Sequence, residues 1–383
     1  MLRPLASQDI RTNPLKRMRY LSLDFFRGLT IALMIVVNTP GTHEYVYAPL
    51  RHAPWHGCTP TDLVFPFFLF IVGVALWFSF SKFNQQMSPT LAKKILRRSA
   101  LIFLVGLGLT AYPFFGKNWA EFRVMGVLQR IGLAYGIAAF LCIALSRRAL
   151  IGTAAAMLLG YWAALWLGGG DDPFSKETNL VRQVDILLLG TAHVYQKYGL
   201  PFDPEGLLST IPAAVTTILG YWSGSLIAAK GEDKKGLIVD LLTYGVALGA
   251  GGLLWDLVFP INKPIWTSSY VLYTGGLAMI LLSACIWVFD LKNWQKPAKP
   301  FLVFGANPLF AFVLSGLLVK TMNLYKYVDG EGKTQAGQYW LYKTFFAPMN
   351  GGKFGSLLFA LSYATLIWAV CWILYKRKIY IKI

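Results

Sequence analysis

The chain has 383 residues, of which 56% are hydrophobic and 14% are charged, and its formal net charge is +18. Soluble domains carry about 25% charged residues, so this composition excludes an ordinary soluble globular protein. The basic excess does not require nucleic acid as a partner, because most Lys and Arg residues flank apolar runs, as they do in membrane proteins.

Apolar runs of roughly 18 to 22 residues account for most of the chain, and each can cross a bilayer core of about 30 Å. We therefore predict an all-α polytopic integral membrane protein with about ten transmembrane helices. The predicted spans are 21–40, 60–80, 98–114, 124–146, 150–167, 207–229, 237–256, 267–289, 300–319 and 355–375.

The distribution of basic residues predicts the orientation of these spans. If the N-terminus is cytoplasmic, the cytoplasmic segments hold 22 Lys and Arg and the outward segments hold about 12. The positive-inside rule then favours an arrangement with both termini in the cytoplasm. A signal peptide is not predicted, because the first 20 residues are polar and basic and no small-residue cleavage site follows them.

Residues 1–18 read as a flexible cytoplasmic arm, and residues 19–383 read as a single transmembrane domain. Outward loops are expected near 39–59, 168–206 and 320–354, and long loops of this kind are usually functional or disordered. The four cysteines predict neither a disulfide framework nor a metal site, because Cys58 is alone on the outer side and the other three lie inside spans.

The first span carries polar groups at both ends. Asp24 and Arg27 are three residues apart and share one helical face, so they either form a structural ion pair or hold an anionic ligand. Asn38 lies about 16 Å further along the helix, at its outer end, where it either caps the helix or joins the adjacent site.

The loop after the first span contains His43, His52 and His56. His52 is the strongest candidate for a general base, because histidine titrates near neutral pH and nearby prolines restrict the loop. Trp55 suits a membrane interface. An interfacial histidine without a catalytic role is the alternative, and His43 and His56 are weaker candidates for the same role.

Asp62 opens the second span behind Thr59 and Pro60, in a pattern typical of a capping box. A purely structural cap is therefore one interpretation of this carboxylate. The other interpretation is that Asp62 orients the His52 imidazole, since a cap at this helix end lies on the same side of the membrane.

Further polar groups fall at or inside later spans. Gln129 and Arg130 lie well inside the fourth span, and an arginine at that depth requires a partner or a wet cavity. Asn262 and Lys263 precede the eighth span, close to Ser268. Asp203-Pro204-Glu205 opens the sixth span as a second cap-like sequence. Asn307-Pro308 interrupts the ninth span.

Several stretches resemble the bacterial branch of the heparan-α-glucosaminide N-acetyltransferase family of transmembrane acetyl-CoA-dependent acyltransferases. They are SLDFFRG at 22–28, VN at 37–38, HAPWHGCTPTDLVFPFFLFIVG at 52–73, GVLQRIGLAY at 126–135, DILLLGTAHVYQ at 185–196, FDPEGLLSTI at 202–211, PINKPIWTSSYV at 260–271 and YKRKIYIKI at 375–383. These stretches cover essentially the whole chain in order.

The resemblance implies that the protein transfers acetyl from cytosolic acetyl-CoA to the amine of an amino sugar or glycan at the outer membrane face. It implies His52 as general base or acetyl carrier and Asn38 beside it, to which we add Asp62 as the residue that holds the ring. We expect Asp24, Arg27, Gln129 and Arg130 to bind acetyl-CoA, with no metal. We expect the acceptor to contact Trp55, Glu205, Asn262, Lys263 and Ser268.

Two alternatives remain open at the level of the sequence. One is a transporter for an amino sugar such as N-acetylglucosamine, without acyl transfer, in which sugar movement survives replacement of His52. The other is an acyltransferase that acts on envelope glycans. The expected location is the bacterial inner membrane, with the lipid bilayer as surroundings and no nucleic-acid partner, and the resemblance suggests a homodimer.

Overall fold

The computed structural model describes residues 20–116, 118–196, 198–330, 332–349 and 352–381, so the arm predicted at 1–18 lies outside the described residues. The α-helices are α1 (Leu21–Asn38), α2 (Val64–Phe80), α3 (Pro89–Ala111), α4 (Val127–Ala144), α5 (Arg147–Gly168), α6 (Leu180–Leu189), α7 (Thr210–Lys230), α8 (Lys234–Asp256), α9 (Ser268–Cys285), α10 (Lys299–Ala306), α11 (Pro308–Met322), α12 (Gly337–Leu341) and α13 (Gly352–Lys376).

Short elements extend or connect these helices. Single 3₁₀ turns occur at Ala48–Leu50, Pro60–Leu63, Ser81–Phe83, Trp119–Glu121, Thr191–His193 and Lys296–Ala298, and π-helical turns occur at Ile286–Leu291 and Tyr342–Phe346. The strands are β1 (Lys326–Val328) and β2 (Thr334–Ala336), which form an antiparallel hairpin with Tyr327 opposite Gln335.

Long apolar helices confirm the prediction of an all-α polytopic membrane protein. Eight continuous segments in the described part of the chain have the length and hydropathy to cross a bilayer: Leu21–Asn38, Pro60–Phe83, Val127–Ala144, Arg147–Gly168, Thr210–Lys230, Lys234–Asp256, Ser268–Leu291 and Gly352–Lys376. A ninth is formed by Lys296–Ala306 and Pro308–Met322 together, which meet at a bend of 73°.

The remaining predicted span, 98–114, overlaps α3, which is not among these segments. Its N-terminal half carries Lys93, Lys94, Arg97 and Arg98, and charges of that density are costly inside hydrocarbon. The count of ten spans therefore stays a prediction as far as α3 is concerned.

The bend in the ninth span confirms the interruption predicted at Asn307-Pro308. Pro308 has no N–H to continue the helical ladder, and Asn307 has left the helical region at φ −133° and ψ 58°. The Asn307 side chain donates to the Ile379 carbonyl at 3.0 Å and accepts from Ile381 N at 2.7 Å. The C-terminal tail therefore holds the Asn307 side chain in place at the break.

The close approach of α2 and α7 builds the centre of the bundle. A Cβ atom added to Gly73 would lie 1.9 Å from the Thr217 carbonyl oxygen, and one added to Gly220 would lie 1.9 Å from that of Phe70. The two backbones are thus in direct contact, as is common between membrane helices with small residues at the interface.

The helices place several loops on one side of the bundle, which we call the histidine face. It holds the connections before α2, α4, α7 and α9, because residues of these connections bind one another, as in the pairs of His52 with Asp62 and Arg123 with Asp203. The N-terminus of α1 lies at the opposite face, where Leu21 N and the Lys234 ammonium both donate to Asp290.

Candidate active site

The centre of the site is His52, in the loop between α1 and α2. Its Nδ1 atom lies 2.6 Å from Asp62 Oδ1. Because a carboxylate only accepts hydrogen bonds, Nδ1 carries the proton and Nε2 is the basic ring nitrogen. The His52 side chain is 50% exposed while that of Asp62 is 2% exposed. A solvent-accessible base is thus fixed by a buried carboxylate.

Asp62 also closes the first turn of its own helix. Its Oδ2 atom accepts from Thr59 N at 3.1 Å, as expected of the third residue in a capping box, and from Ala53 N at 3.0 Å. Asp62 therefore makes both contacts expected from the sequence, because it caps its own helix and also binds the His52 imidazole. Tyr270 on α9 donates to the Asp62 carbonyl at 2.6 Å, which fixes the position of this turn against the core.

Lys263 provides the positive charge of the site. Its Nζ atom is 3.3 Å from Asp62 Oδ1 and 3.2 Å from His52 Nδ1. Since His52 Nδ1 already donates to Asp62, the Lys263 ammonium donates to the carboxylate and acts on the ring through its charge. Burial lowers the pKa of Lys263, while the Asp62 and Glu205 carboxylates oppose that shift.

The segment around Lys263 is joined to the histidine loop by its backbone. Gly57 N donates to the Ile261 carbonyl at 2.7 Å, and Gly57 and Asn262 form an isolated parallel bridge. The Asn262 side chain accepts from Ile265 N at 2.9 Å and lies 3.3 Å from His56 Nδ1. Burial lowers the pKa of His56, so that imidazole favours its neutral form.

A second ion-pair cluster lies beside the first. Arg123, in the connection before α4, donates through Nε to Asp203 at 2.9 Å and through Nη2 to Glu205 at 2.5 Å. Burial works to lower the pKa of Arg123, but its hydrogen bonds to Asp203 and the charge of Glu205 outweigh this and raise it. Glu205 also acts electrostatically on Lys263, which links the two clusters.

Aromatic side chains border these charges. Trp55 contacts Tyr198 and Phe202 edge-on at 6.5 and 5.3 Å between ring centroids, and its indole N–H donates to the Phe174 carbonyl at 2.9 Å. The Arg123 guanidinium lies over the Tyr195 ring at 4.6 Å. Burial, with the charge of Glu205, raises the pKa of Tyr198, so its hydroxyl stays protonated.

Arg130 is fully buried near the same face. Its Nη2 donates to the Ser209 hydroxyl and, at 3.2 Å, to the Gly206 carbonyl, and its guanidinium lies over the Trp266 ring at 5.1 Å. Its Nε and Nη1 atoms have no acceptor among the described residues. The neighbouring Gln129 is 2% exposed and donates to the Val124 carbonyl at 3.0 Å.

The two halves of the predicted cofactor set lie at opposite ends of the bundle. Gln129 and Arg130 are near the histidine face, whereas Asp24 and Arg27 are in the first turns of α1 at the opposite face. Arg27 Nη2 donates to Asp24 at 2.7 Å, and its Nε donates to the Gly305 carbonyl of α10 at 2.8 Å. The ion pair anticipated from their spacing is formed.

The other predicted site residues differ in their access to solvent. Asn38 is the last residue of α1 and is exposed. Glu205 keeps 13% of its side chain exposed, whereas Asn262 and Ser268 are fully buried. The Ser268 hydroxyl donates to the Leu158 carbonyl at 2.8 Å. Direct contact with an acceptor sugar is therefore open to Glu205, Trp55 and Lys263 but not to Ser268 as it stands here.

Sequence reasoning did not identify Arg123 or Tyr198 as site residues. Arg123 stands in a polar connection, and its acidic partners follow 80 and 82 residues later in the chain. The available signal was the acidic pair around Pro204, whose nearest basic residue in the sequence is Lys197. Nothing in the local pattern, however, selects Arg123 over other basic residues of the outward loops.

Residues 19–239 match a protein-family model whose description is "Heparan-alpha-glucosaminide N-acetyltransferase, catalytic". Curated relatives with the same protein name are similar over most of this chain. The one from Homo sapiens is 29% identical over 77% of this chain and 52% of its own length. The one from Mus musculus is 28% identical over 80% of this chain and 54% of its own length.

The chain thus spans about half the length of the curated relatives that it matches. The matched region contains both His52 and Asp62, together with the Arg123, Asp203 and Glu205 cluster. Because the family model covers more than half of the chain, this multi-pass membrane protein belongs to the heparan-α-glucosaminide N-acetyltransferase catalytic family.

Proposed function

We propose that this protein is a transmembrane N-acetyltransferase that moves acetyl from acetyl-CoA to the amine of an amino sugar or glycan at the histidine face. The observation that carries the proposal is the half-exposed His52 imidazole, held through Nδ1 by the buried Asp62 carboxylate. Membership of an acetyltransferase family supports the reaction class.

In the direct route, the acceptor amine attacks the thioester carbonyl and its N–H proton passes to His52 Nε2. The C–S bond then breaks, and the leaving thiolate takes the proton from the imidazolium. In the alternative route, Nε2 attacks the thioester carbonyl, the C–S bond breaks, and the CoA thiolate leaves an acetyl-imidazolium behind. The amine then attacks this acetyl group, the bond to Nε2 breaks, and the proton lost by the amine passes to the thiolate. Asp62 supports both routes, because it holds a proton on Nδ1, which leaves Nε2 as the reacting nitrogen, and it stabilises the positive charge that develops on the ring.

Lys263 supports the Asp62 carboxylate electrostatically. Burial of Asp62 disfavours its charged form, but the hydrogen bond from His52 and the charge of Lys263 outweigh this effect. Asp62 therefore stays ionised and accepts from His52 Nδ1. We assign Lys263 this supporting role as well as contact with the acceptor. Asn38, at the outer end of α1, is proposed as the donor to the developing oxyanion.

The acceptor is proposed to lie against Trp55, Glu205 and Lys263. An apolar indole surface suits the less polar face of a sugar ring, and a carboxylate accepts hydrogen bonds from hydroxyl or ammonium groups. Glu205 retains an exposed edge although Arg123 binds it. Asn262 and Ser268 contribute by holding the loop that carries Lys263.

Acetyl-CoA is proposed to enter at the opposite face and to reach the histidine face with its acetyl end. Arg27, with Asp24 to orient it, suits the phosphates at the entrance, because guanidinium pairs well with phosphate. Arg130 and Gln129 are proposed to act at the inner end. The unpartnered Nε and Nη1 groups of Arg130 are hydrogen-bond donors suited to the amide carbonyls of the pantetheine arm. Because Arg130 is fully buried, this contact requires the surrounding helices to separate when acetyl-CoA binds.

Reconstituted vesicles test this proposal. The purified protein is inserted into liposomes, acetyl-CoA is supplied on one side only, and glucosamine is supplied on the other. We expect N-acetylglucosamine to form on the glucosamine side and CoA to be released on the donor side. Glucosamine or N-acetylglucosamine that crosses the membrane without acetyl-CoA, and without acetylation, would support a transporter instead.

A further inference from the structure

A large apolar cleft opens between α5, α7 and α8, and His52, Asp62 and Lys263 are not among the residues that line it. It encloses about 910 Å³. Most of its wall is formed by aliphatic and aromatic side chains of α5 and α7, among them Leu150, Leu158, Ile218 and Leu219. Nothing in the proposed acetyl transfer uses this cleft.

The cleft has a definite depth and direction. The lining residues of α5 recur every three or four positions from Arg147 to Leu159, so one face of the helix forms the wall. Twelve residues of helix measure about 18 Å. The hydrocarbon core of a bilayer is about 30 Å thick, so this wall extends past the middle of the bilayer. On α7 the matching wall runs from Ala229 to Val215 and begins at the same membrane face.

Hydrocarbon is the material that fits this space. The lining is mostly apolar, and an empty cleft forfeits the dispersion contacts of its lining. The cleft opens among membrane-spanning helices, where acyl chains are the surrounding solvent. An occupant with long hydrocarbon chains therefore supplies the dispersion contacts that the lining side chains need.

Two polar side chains of the cleft, Arg147 and Trp222, indicate which polar groups the occupant carries. Arg147 lies at the mouth of the cleft, is exposed, and forms no ion pair within the described part of the chain. By contrast, the ammonium of Lys230 at the end of α7 already has a partner, because it is bound to Asp240 at 3.0 Å. Deeper in the cleft, the buried Nε1–H of Trp222 has no acceptor among the residues described.

We propose that this cleft binds one phosphoglycerolipid of the leaflet at the opposite face. The acyl chains lie between α5 and α7, the phosphate pairs with Arg147, and an ester carbonyl accepts from Trp222 Nε1. A phosphoglycerolipid has an anionic phosphate, then ester carbonyls, then apolar chains. This order matches Arg147 at the mouth of the cleft, Trp222 deeper in it, and the apolar lining. The site is independent of the acetyl transfer proposed above.

Native mass spectrometry of the full-length protein in detergent tests this proposal. The protein is titrated with phosphatidylglycerol and, separately, with diacylglycerol carrying the same acyl chains. The key comparison is Arg147→Gln against Arg148→Gln, since both remove one charge from the same turn but only Arg147 lines the cleft. We expect Arg147→Gln to weaken phosphatidylglycerol binding about fivefold and Arg148→Gln to change it little.

Trp222→Phe provides a second variant, because it keeps an aromatic wall and removes only the donor. It should also weaken binding, and diacylglycerol should bind more weakly than phosphatidylglycerol. Equal effects of the two arginine substitutions, equal affinity for the two lipids, or unchanged binding in both Arg147→Gln and Trp222→Phe would overturn the proposal.

Discussion

The Asp62 carboxylate fixes His52 with one oxygen and caps its own helix with the other. Oδ1 lies 2.6 Å from His52 Nδ1, and Oδ2 accepts from the backbone N–H groups of Ala53 and Thr59 at 3.0 and 3.1 Å. The orientation of the imidazole is therefore tied to the first turn of a membrane-spanning segment. A rigid scaffold of this kind holds a reacting group in place at low entropic cost.

Asp62→Asn should abolish most acetyl transfer while the protein stays folded. The two backbone donors at the Oδ2 position require an acceptor, so the amide oxygen takes that place and the NH₂ group faces His52 Nδ1. The ring must then accept at Nδ1 and protonate Nε2, which removes the base. We expect kcat to fall roughly 10³- to 10⁴-fold. Asp240→Asn, at the opposite face, is the matched control in the same radiometric transfer assay.

Lys263→Met should lower acetyl transfer more than Lys263→Arg does. The Lys263 charge helps to keep the buried Asp62 carboxylate ionised beside His52 Nδ1. Methionine removes that charge and leaves a buried carboxylate without its cation. We expect transfer in the radiometric assay to fall roughly tenfold or more.

Lys263→Arg is the control for that change, because it keeps the positive charge beside Asp62 and should retain most of the activity. Equal transfer rates in Lys263→Met and Lys263→Arg would contradict a role for this charge.

Arg123→Met should destabilise the histidine face. The substitution leaves the fully buried Asp203 without its cation, and breaking a buried pair in this way costs about 3 kcal/mol or more. The thermal unfolding midpoint in detergent should fall clearly. Asp203→Asn in the same chain removes the uncompensated charge, so the double variant should regain part of the loss. No recovery would show that the ion pair is not what stabilises this region.

Asp185→Asn should alter how stability depends on pH. Burial raises the pKa of Asp185 to about 7, and Oδ2 of this residue has no hydrogen-bond partner among the described residues. Between the unfolded value near 4 and about 7, the native state holds more protons than the unfolded state, so this group's contribution falls as pH rises. Wild type should lose stability relative to Asp185→Asn across that window. Parallel unfolding curves for the two proteins from pH 4 to 8 would contradict the assignment.

The sequence predicts those parts of the site that depend on short separations. The apolar runs, the cap before the second span, the Asp24–Arg27 pair and the break at Asn307-Pro308 each involve residues within a few positions, and the structure contains all of them. Each of these features forms within one helix or one turn, so the local sequence is sufficient to predict it.

Long-range pairing could not be predicted in this way. Lys263 is 201 residues from Asp62, and its approach depends on the packing of α9 against α2. The Arg123 pairs are likewise set by where two separate connections meet. The place of Arg130 near the histidine face, and not at the opposite end with Arg27, follows from the direction of α4 in the bundle.

The most direct test compares purified wild-type protein with His52→Ala, and with His193→Ala as a histidine control, using radiolabelled acetyl-CoA and glucosamine. Both acetyl transfer and CoA binding are measured. We expect wild type and His193→Ala to form N-acetylglucosamine, and His52→Ala to bind CoA without transferring acetyl. Wild-type protein that neither binds CoA nor transfers acetyl, or a His52→Ala variant that transfers at the wild-type rate, would contradict the account.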